Sequence, residues 1–76
     1  MQEIGDIAIM ATTLNNMGAI LFEQERFEEA IPLLVQAYQI RQQIGSPDAE
    51  DTARYLSAII ERIGEAKFQR IVLKMG

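Results

Sequence analysis

Two runs of helix-period spacing, separated by only three polar residues, set the strongest limit on what this chain can become. Ile7, Met10, Ala11, Leu14, Met17, Gly18 and Leu21 recur at the intervals that line one face of an α-helix. Phe27, Ala30, Ile31, Leu34, Ala37, Tyr38 and Arg41 repeat the pattern. The link between them, Gln24-Glu25-Arg26, is short enough to force the two helices to lie antiparallel as neighbours. β-branched residues do not alternate with polar ones, and no Asn-Gly or Asp-Gly turn is present, so strands are not expected. The chain reads as all-α.

The later breaks are also legible. Gly45 is expected to end the second helix in a left-handed conformation. Ser46-Pro47-Asp48 then restarts a helix, with Ser46 or Asp48 as N-cap, Pro47 near the first turn and acidic residues at the positive end of the helix dipole. Pro32 falls about one turn into the second helix, where it removes at most one ladder hydrogen bond. Ala53, Leu56, Ile59, Ile60 and Ile63 form a third apolar run, and Phe68, Ile71, Val72 and Met75 a fourth. If these two runs belonged to one straight helix, their stripes would lie roughly 130° apart. Either a long helix presents one stripe to its own chain and one to a partner, or Gly64 breaks the helix and turns both stripes to one core. The pattern leans to the break.

Ile4-Gly5-Asp6 recurs forty residues later as Ile44-Gly45-Ser46, and Ala11-x-x-Leu14-x-x-Met17 recurs forty-two residues later as Ala53-x-x-Leu56-x-x-Ile59. A period of this length signals stacked helical hairpins. The stretches Leu14-Asn15-Asn16-Met17-Gly18, Phe27-Glu28-Glu29-Ala30-Ile31 and Ala37-Tyr38-Gln39-Ile40-Arg41 resemble a tetratricopeptide repeat. The likeness is to the longer 40–42-residue variety found in kinesin light chains and many bacterial regulators. It implies an α-solenoid of antiparallel hairpins, with about one full repeat and partial flanking units. Residues 7–45 would be the full hairpin, residues 47–76 a degenerate second unit or capping helix, and residues 1–6 the tail of a preceding repeat in a longer protein. The repeat signature is Leu14, Met17, Gly18, Leu21, Phe27, Ala30, Leu34 and Ala37. Gly18 and Ala30, small residues on facing helices, would let the two backbones approach. Leu14, Met17, Leu21, Phe27 and Leu34 would fill the space between them. Two departures stand out: Glu25 sits in the turn where the family usually has glycine, and Ile60 occupies a position where the family has a small residue.

Composition narrows the function. There is no cysteine and no histidine, so disulfides, thiolate metal sites and the commonest general base are all excluded. Paired acids at Glu28-Glu29 and around Asp48, Glu50 and Asp51 sit at helix starts, where the dipole accounts for them without chemistry. No phosphate loop, nucleophile motif or metal-ligand spacing is present, so the chain is expected to be non-catalytic, with no cofactor and no metal. A net charge of −4 argues against a nucleic-acid binder, although the charge is uneven: residues 1–51 carry nine acids and two bases, residues 52–76 two acids and five bases. This asymmetry marks solvated helix faces or, on a sharper reading, steers end-to-end stacking. No apolar run is long enough to span a membrane, and Met1-Gln-Glu-Ile lacks the basic start of a signal peptide, so a cytoplasmic setting is expected.

The resemblance implies a protein-interaction scaffold. The first helix of each hairpin would line a groove that holds a partner's extended peptide or helix. Thr12, Asn15, Asn16, Ala19, Phe22 and Glu23 would face that groove. Asn16 is the leading candidate for pairing with a peptide backbone, because an Asn side chain both donates and accepts. The plainer alternative is that one of the two asparagines satisfies a neighbouring helix end. The next helix offers Ser57, Ala58 and Glu61 at matching places, so the asparagines do not recur and this turn would be the last one competent to bind. The second functional reading is structural. With 49% hydrophobic residues and little more than one repeat, Ile7, Ile9, Ile20, Leu33, Ile40, Ile59, Val72 and Leu73 cannot all be buried. Self-association as a homodimer, or capping of a longer solenoid, would cover them.

Overall fold

The computed structural model describes residues 4–75. Four helices follow one another: α1 (Ile4–Glu23), α2 (Phe27–Gln43), α3 (Ala49–Ile63) and α4 (Glu65–Met75). α2 is the central element and packs against each of the other three. Its Ala30, Ile31 and Leu34, together with Ile59 of α3, form the fully buried core. Leu21, Phe27, Leu56, Ile63, Phe68, Ile71, Val72 and Met75 close around it. Among the described residues no helix is long and apolar enough to cross a membrane.

α1 and α2 approach closely because Gly18 has no side chain. A β-carbon built there would lie 2.6 Å from Cγ of Leu34 and 3.5 Å from the carbonyl oxygen of Ala30. The expected facing pair of Gly18 and Ala30 is thus only half of the contact: Leu34 occupies the space glycine leaves, and Ala30 contributes its backbone. A second expectation needs correction. Met17, placed by its spacing between the two helices, is 49% exposed. It lies on the flank of α1 turned away from α3, beside Met10 at 39%, Ile9 at 66% and Ile20 at 57%. The spacing identified the apolar side of the helix, and that side is wider than the strip α2 covers.

Helix ends follow the turn chemistry. After α2, the Ser46 N–H bonds to the Arg41 carbonyl (2.8 Å) and the Gly45 N–H to the Gln42 carbonyl (3.1 Å), with Gly45 at φ +69°. This is the Schellman arrangement, which satisfies carbonyls that the helix leaves open. α1 ends the same way: Arg26 N–H bonds to Leu21 (2.9 Å) and Glu25 N–H to Phe22 (3.0 Å). There the left-handed residue is Glu25, at φ +62°. The turn tolerates a side chain where glycine is usual, at a cost of about 1 kcal/mol. Ser46 is the working N-cap of α3: its Oγ accepts the Asp48 N–H at 3.2 Å, whereas Asp48 makes no side-chain capping bond.

Gly64 does break the last helix. Its φ of +89° and ψ of +150° belong to a region open essentially to glycine alone. The one-residue link turns Phe68, Ile71, Val72 and Met75 onto the same core as Leu56 and Ile63. One piece of the repeat does not survive folding. Ile44-Gly45-Ser46 ends a helix, but Ile4-Gly5-Asp6 forms the first turn of α1, where no positive φ is called for at Gly5. The rest of the expected preceding tail, residues 1–3, lies outside the described residues.

Gly18→Ala gains about 1 kcal/mol in helix propensity. It must also push a buried, branched Leu34 aside, which costs about 1–3 kcal/mol. Because the clash is with the branch point and not a mobile tip, the expected outcome is net destabilisation, read as a fall in thermal midpoint of several degrees; an unchanged or higher midpoint would show that the helices part easily.

Candidate functional site

α1 and α3, the first helices of the two successive units, stand side by side across α2. Between them runs an open depression lined by Asn15 and Phe22 from α1 and by Asp51, Arg54, Tyr55 and Ala58 from α3. Its apolar part is aromatic. Phe22 meets Tyr55 edge-on at 5.5 Å between ring centres and Phe27 at 5.7 Å, so the floor is anchored to the core. Arg54 leans towards Asp51 at 3.8 Å, a loose and largely exposed pair that leaves the guanidinium able to reach elsewhere.

At the far side of Asn15 lies a polar chain. Arg41, 7% exposed in the last turn of α2, donates from Nη1 to Thr52 Oγ1 at 2.8 Å and to the Asp48 carbonyl at 3.3 Å. Thr52, fully buried in the first turn of α3, donates its hydroxyl proton to Asn15 Oδ1 at 2.9 Å. The negative end of the α2 dipole favours a cation at Arg41. At the opposite end of α3, Arg62 pairs with Glu25 at 3.1 Å and lies 5.9 Å over the Phe27 ring.

The six residues expected in the groove therefore separate. Asn15 and Phe22 line the depression and are half-buried. Ala19 is half-buried on α1; Thr12, Asn16 and Glu23 are exposed on α1 outside the residues that line it. The Thr12 hydroxyl is already bonded back to the Ala8 carbonyl of its own helix (3.1 Å). Asn15 Oδ1 accepts the Thr52 hydroxyl of the neighbouring helix while the residue still lines the depression. Of the matching places on α3, Ala58 lines the depression and Ser57 and Glu61 do not. Asp51, Arg54 and Tyr55 are not among the residues expected at the groove, although their spacing with Ala58 (Asp51 to Arg54, Tyr55 and Ala58 is three, four and seven residues) is that of a single helix face. Tyr55 packs at this floor and Phe68 against the core. Among the described residues no group of three or more acidic side chains could hold a metal ion.

The family model described as tetratricopeptide repeat matches residues 9–59. The chain belongs to that family, whose repeats are generally protein-interaction modules, and its all-α hairpin architecture agrees with the assignment. Comparison with curated proteins and with solved structures gives no significant match.

Because Asn15 is bonded across to α3 and Asn16 is exposed, replacing them should differ in effect. Asn15→Leu, which strands the buried Thr52 hydroxyl, is expected to cost about 1–3 kcal/mol in urea unfolding. Asn16→Ala should fall within about 0.5 kcal/mol of the wild type. Equal losses would contradict the hydrogen-bonding scheme.

Proposed function

We propose that this chain is a non-catalytic interaction module that holds an extended peptide or a partner helix in the groove between α1 and α3. The observation that carries the reading is the depression itself, formed by the first helices of two successive units and lined by an aromatic floor with polar groups beside it. Phe22 and Tyr55 give a partner's apolar side chain a surface, and Asn15 and Arg54 give it hydrogen bonds and charge. Thr12, Asn16, Ala19 and Glu23 extend the same surface along α1. Asn16 remains a candidate for backbone pairing, since it is exposed on α1.

The test uses short peptides recovered from a random phage-displayed library on the wild-type chain. Ala58→Arg fills the depression from a helical position that accepts Arg readily. It should weaken peptide binding by about tenfold or more, some 1.4 kcal/mol, with the thermal midpoint little changed. Binding that survives Ala58→Arg would remove the groove from consideration, and binding that survives Asn16→Ala would remove that residue.

A second reading has its own support. Residues forty-two apart occupy equivalent places in the two units, which makes Met17 the counterpart of Ile59 and Met10 the counterpart of Thr52. Ile59 and Thr52 are completely buried, whereas Met10 and Met17 are open. The free flank of α1, with Ile9 and Ile20, is thus the kind of surface that another helix covers, and self-association of the isolated chain as a homodimer follows from it. Sedimentation at micromolar concentration should give a dimer that Met17→Glu converts to monomer; a well-folded wild-type monomer would refute this reading.

A further inference from the structure

The chain of bonds from Arg41 through Thr52 to Asn15 has a direction, and the direction follows from which atoms carry protons. A guanidinium only donates. With Arg41 Nη1 at 2.8 Å, the Thr52 oxygen is the acceptor in that bond, and the single hydroxyl proton of Thr52 is left to be placed. Thr52 is completely buried, and the partner within reach is the Asn15 side chain at 2.9 Å. If the Asn15 amide were turned over, its NH2 group would face the hydroxyl and the buried proton would have no acceptor, which is costly. The amide is therefore held with Oδ1 towards Thr52 and Nδ2 away from it. Nδ2 has no acceptor among the described residues, and Asn15 lines the α1–α3 depression. The positive charge behind Thr52 polarises the chain in the same sense and strengthens the terminal donor.

We propose that Arg41 and Thr52 are positioning residues that lock the Asn15 amide with its NH2 group offered to the groove, so that the groove selects a partner presenting a hydrogen-bond acceptor there, the main-chain carbonyl of an extended segment whose apolar side chain rests on Phe22 and Tyr55. The proposal rests on the groove reading given above. It assigns to two residues outside the groove lining a part in what the groove accepts, and it distinguishes Asn15, a fixed donor, from Asn16, whose free amide can turn either way.

The probe is the set of phage-selected short peptides. Asn15→Asp keeps an acceptor for the Thr52 hydroxyl and removes the NH2 group. The expected result is a thermal midpoint equal to or above the wild type, with peptide binding weakened about tenfold or more. Thr52→Val, measured in the cold where circular dichroism shows it folded, should weaken binding to a similar degree, and Thr52→Ser should restore the wild-type affinity. Asn15→Asp carries the test if Thr52→Val does not fold, because it preserves the buried bond. Unweakened binding by Asn15→Asp overturns the selection of an acceptor, and wild-type binding by folded Thr52→Val overturns the lock. A library that yields no binder fails the groove reading instead. The lock is then read directly from the heteronuclear NOE of the Asn15 side-chain nitrogen. A value near that of the backbone, dropping in Thr52→Val, supports it, and equally low values in both overturn it.

Discussion

Leu34 sits where a side chain on Gly18 would be, and that contact sets how near α1 lies to α2. The near approach brings Leu21 and Phe22 down onto a core otherwise built from α2, α3 and α4. A wider spacing would lift Phe22 away from Tyr55 and leave no continuous floor between the two units. One missing methyl group thus governs both the hairpin and the shape of the surface formed where the hairpin meets the next helix. The helix propensity lost at Gly18 is small beside the burial it permits, since each large side chain taken out of water contributes about 1.5–3 kcal/mol.

Polar groups then fix what apolar packing leaves loose. Side-chain hydrogen bonds tie α1 and its turn to α3 in two places, Asn15 to Thr52 and Glu25 to Arg62, each bridging thirty-seven residues of sequence. The first is backed by a nearly buried arginine that donates to the Asp48 carbonyl as well as to the Thr52 hydroxyl oxygen. No buried side-chain nitrogen or oxygen among the described residues lacks a partner, as a packed interior requires.

The helices and their ends could be read from the sequence because they depend on local rules. Spacing at three and four residues fixed where helices run, and Gly45, Pro47 and Ser46 marked the turn chemistry between them. Gly64 was harder, since two apolar stripes on one helix and two helices on one core give the same spacing; only the backbone at Gly64 decides. Met17 was misplaced for a related reason. Periodicity tells which side of a helix is apolar and is silent on how many neighbours share that side. The asparagines show the limit most sharply. Asn15 and Asn16 lie ~100° apart on α1, and which of them meets α3 depends on where the second unit docks, a matter of tertiary geometry. The same gap hid Arg41 and Thr52, whose joint role exists only once α2 and α3 are in place.

The two ties between α1 and α3 differ in kind, and this gives the groove an uneven stiffness. Asn15–Thr52 joins two neutral groups, with Thr52 completely buried, so salt does not screen it. Glu25–Arg62 lies in water, where ionic strength screens it, and it depends on a residue held in a left-handed conformation. Added salt therefore weakens the tie at the Phe22 end of the groove and spares the one at Asn15.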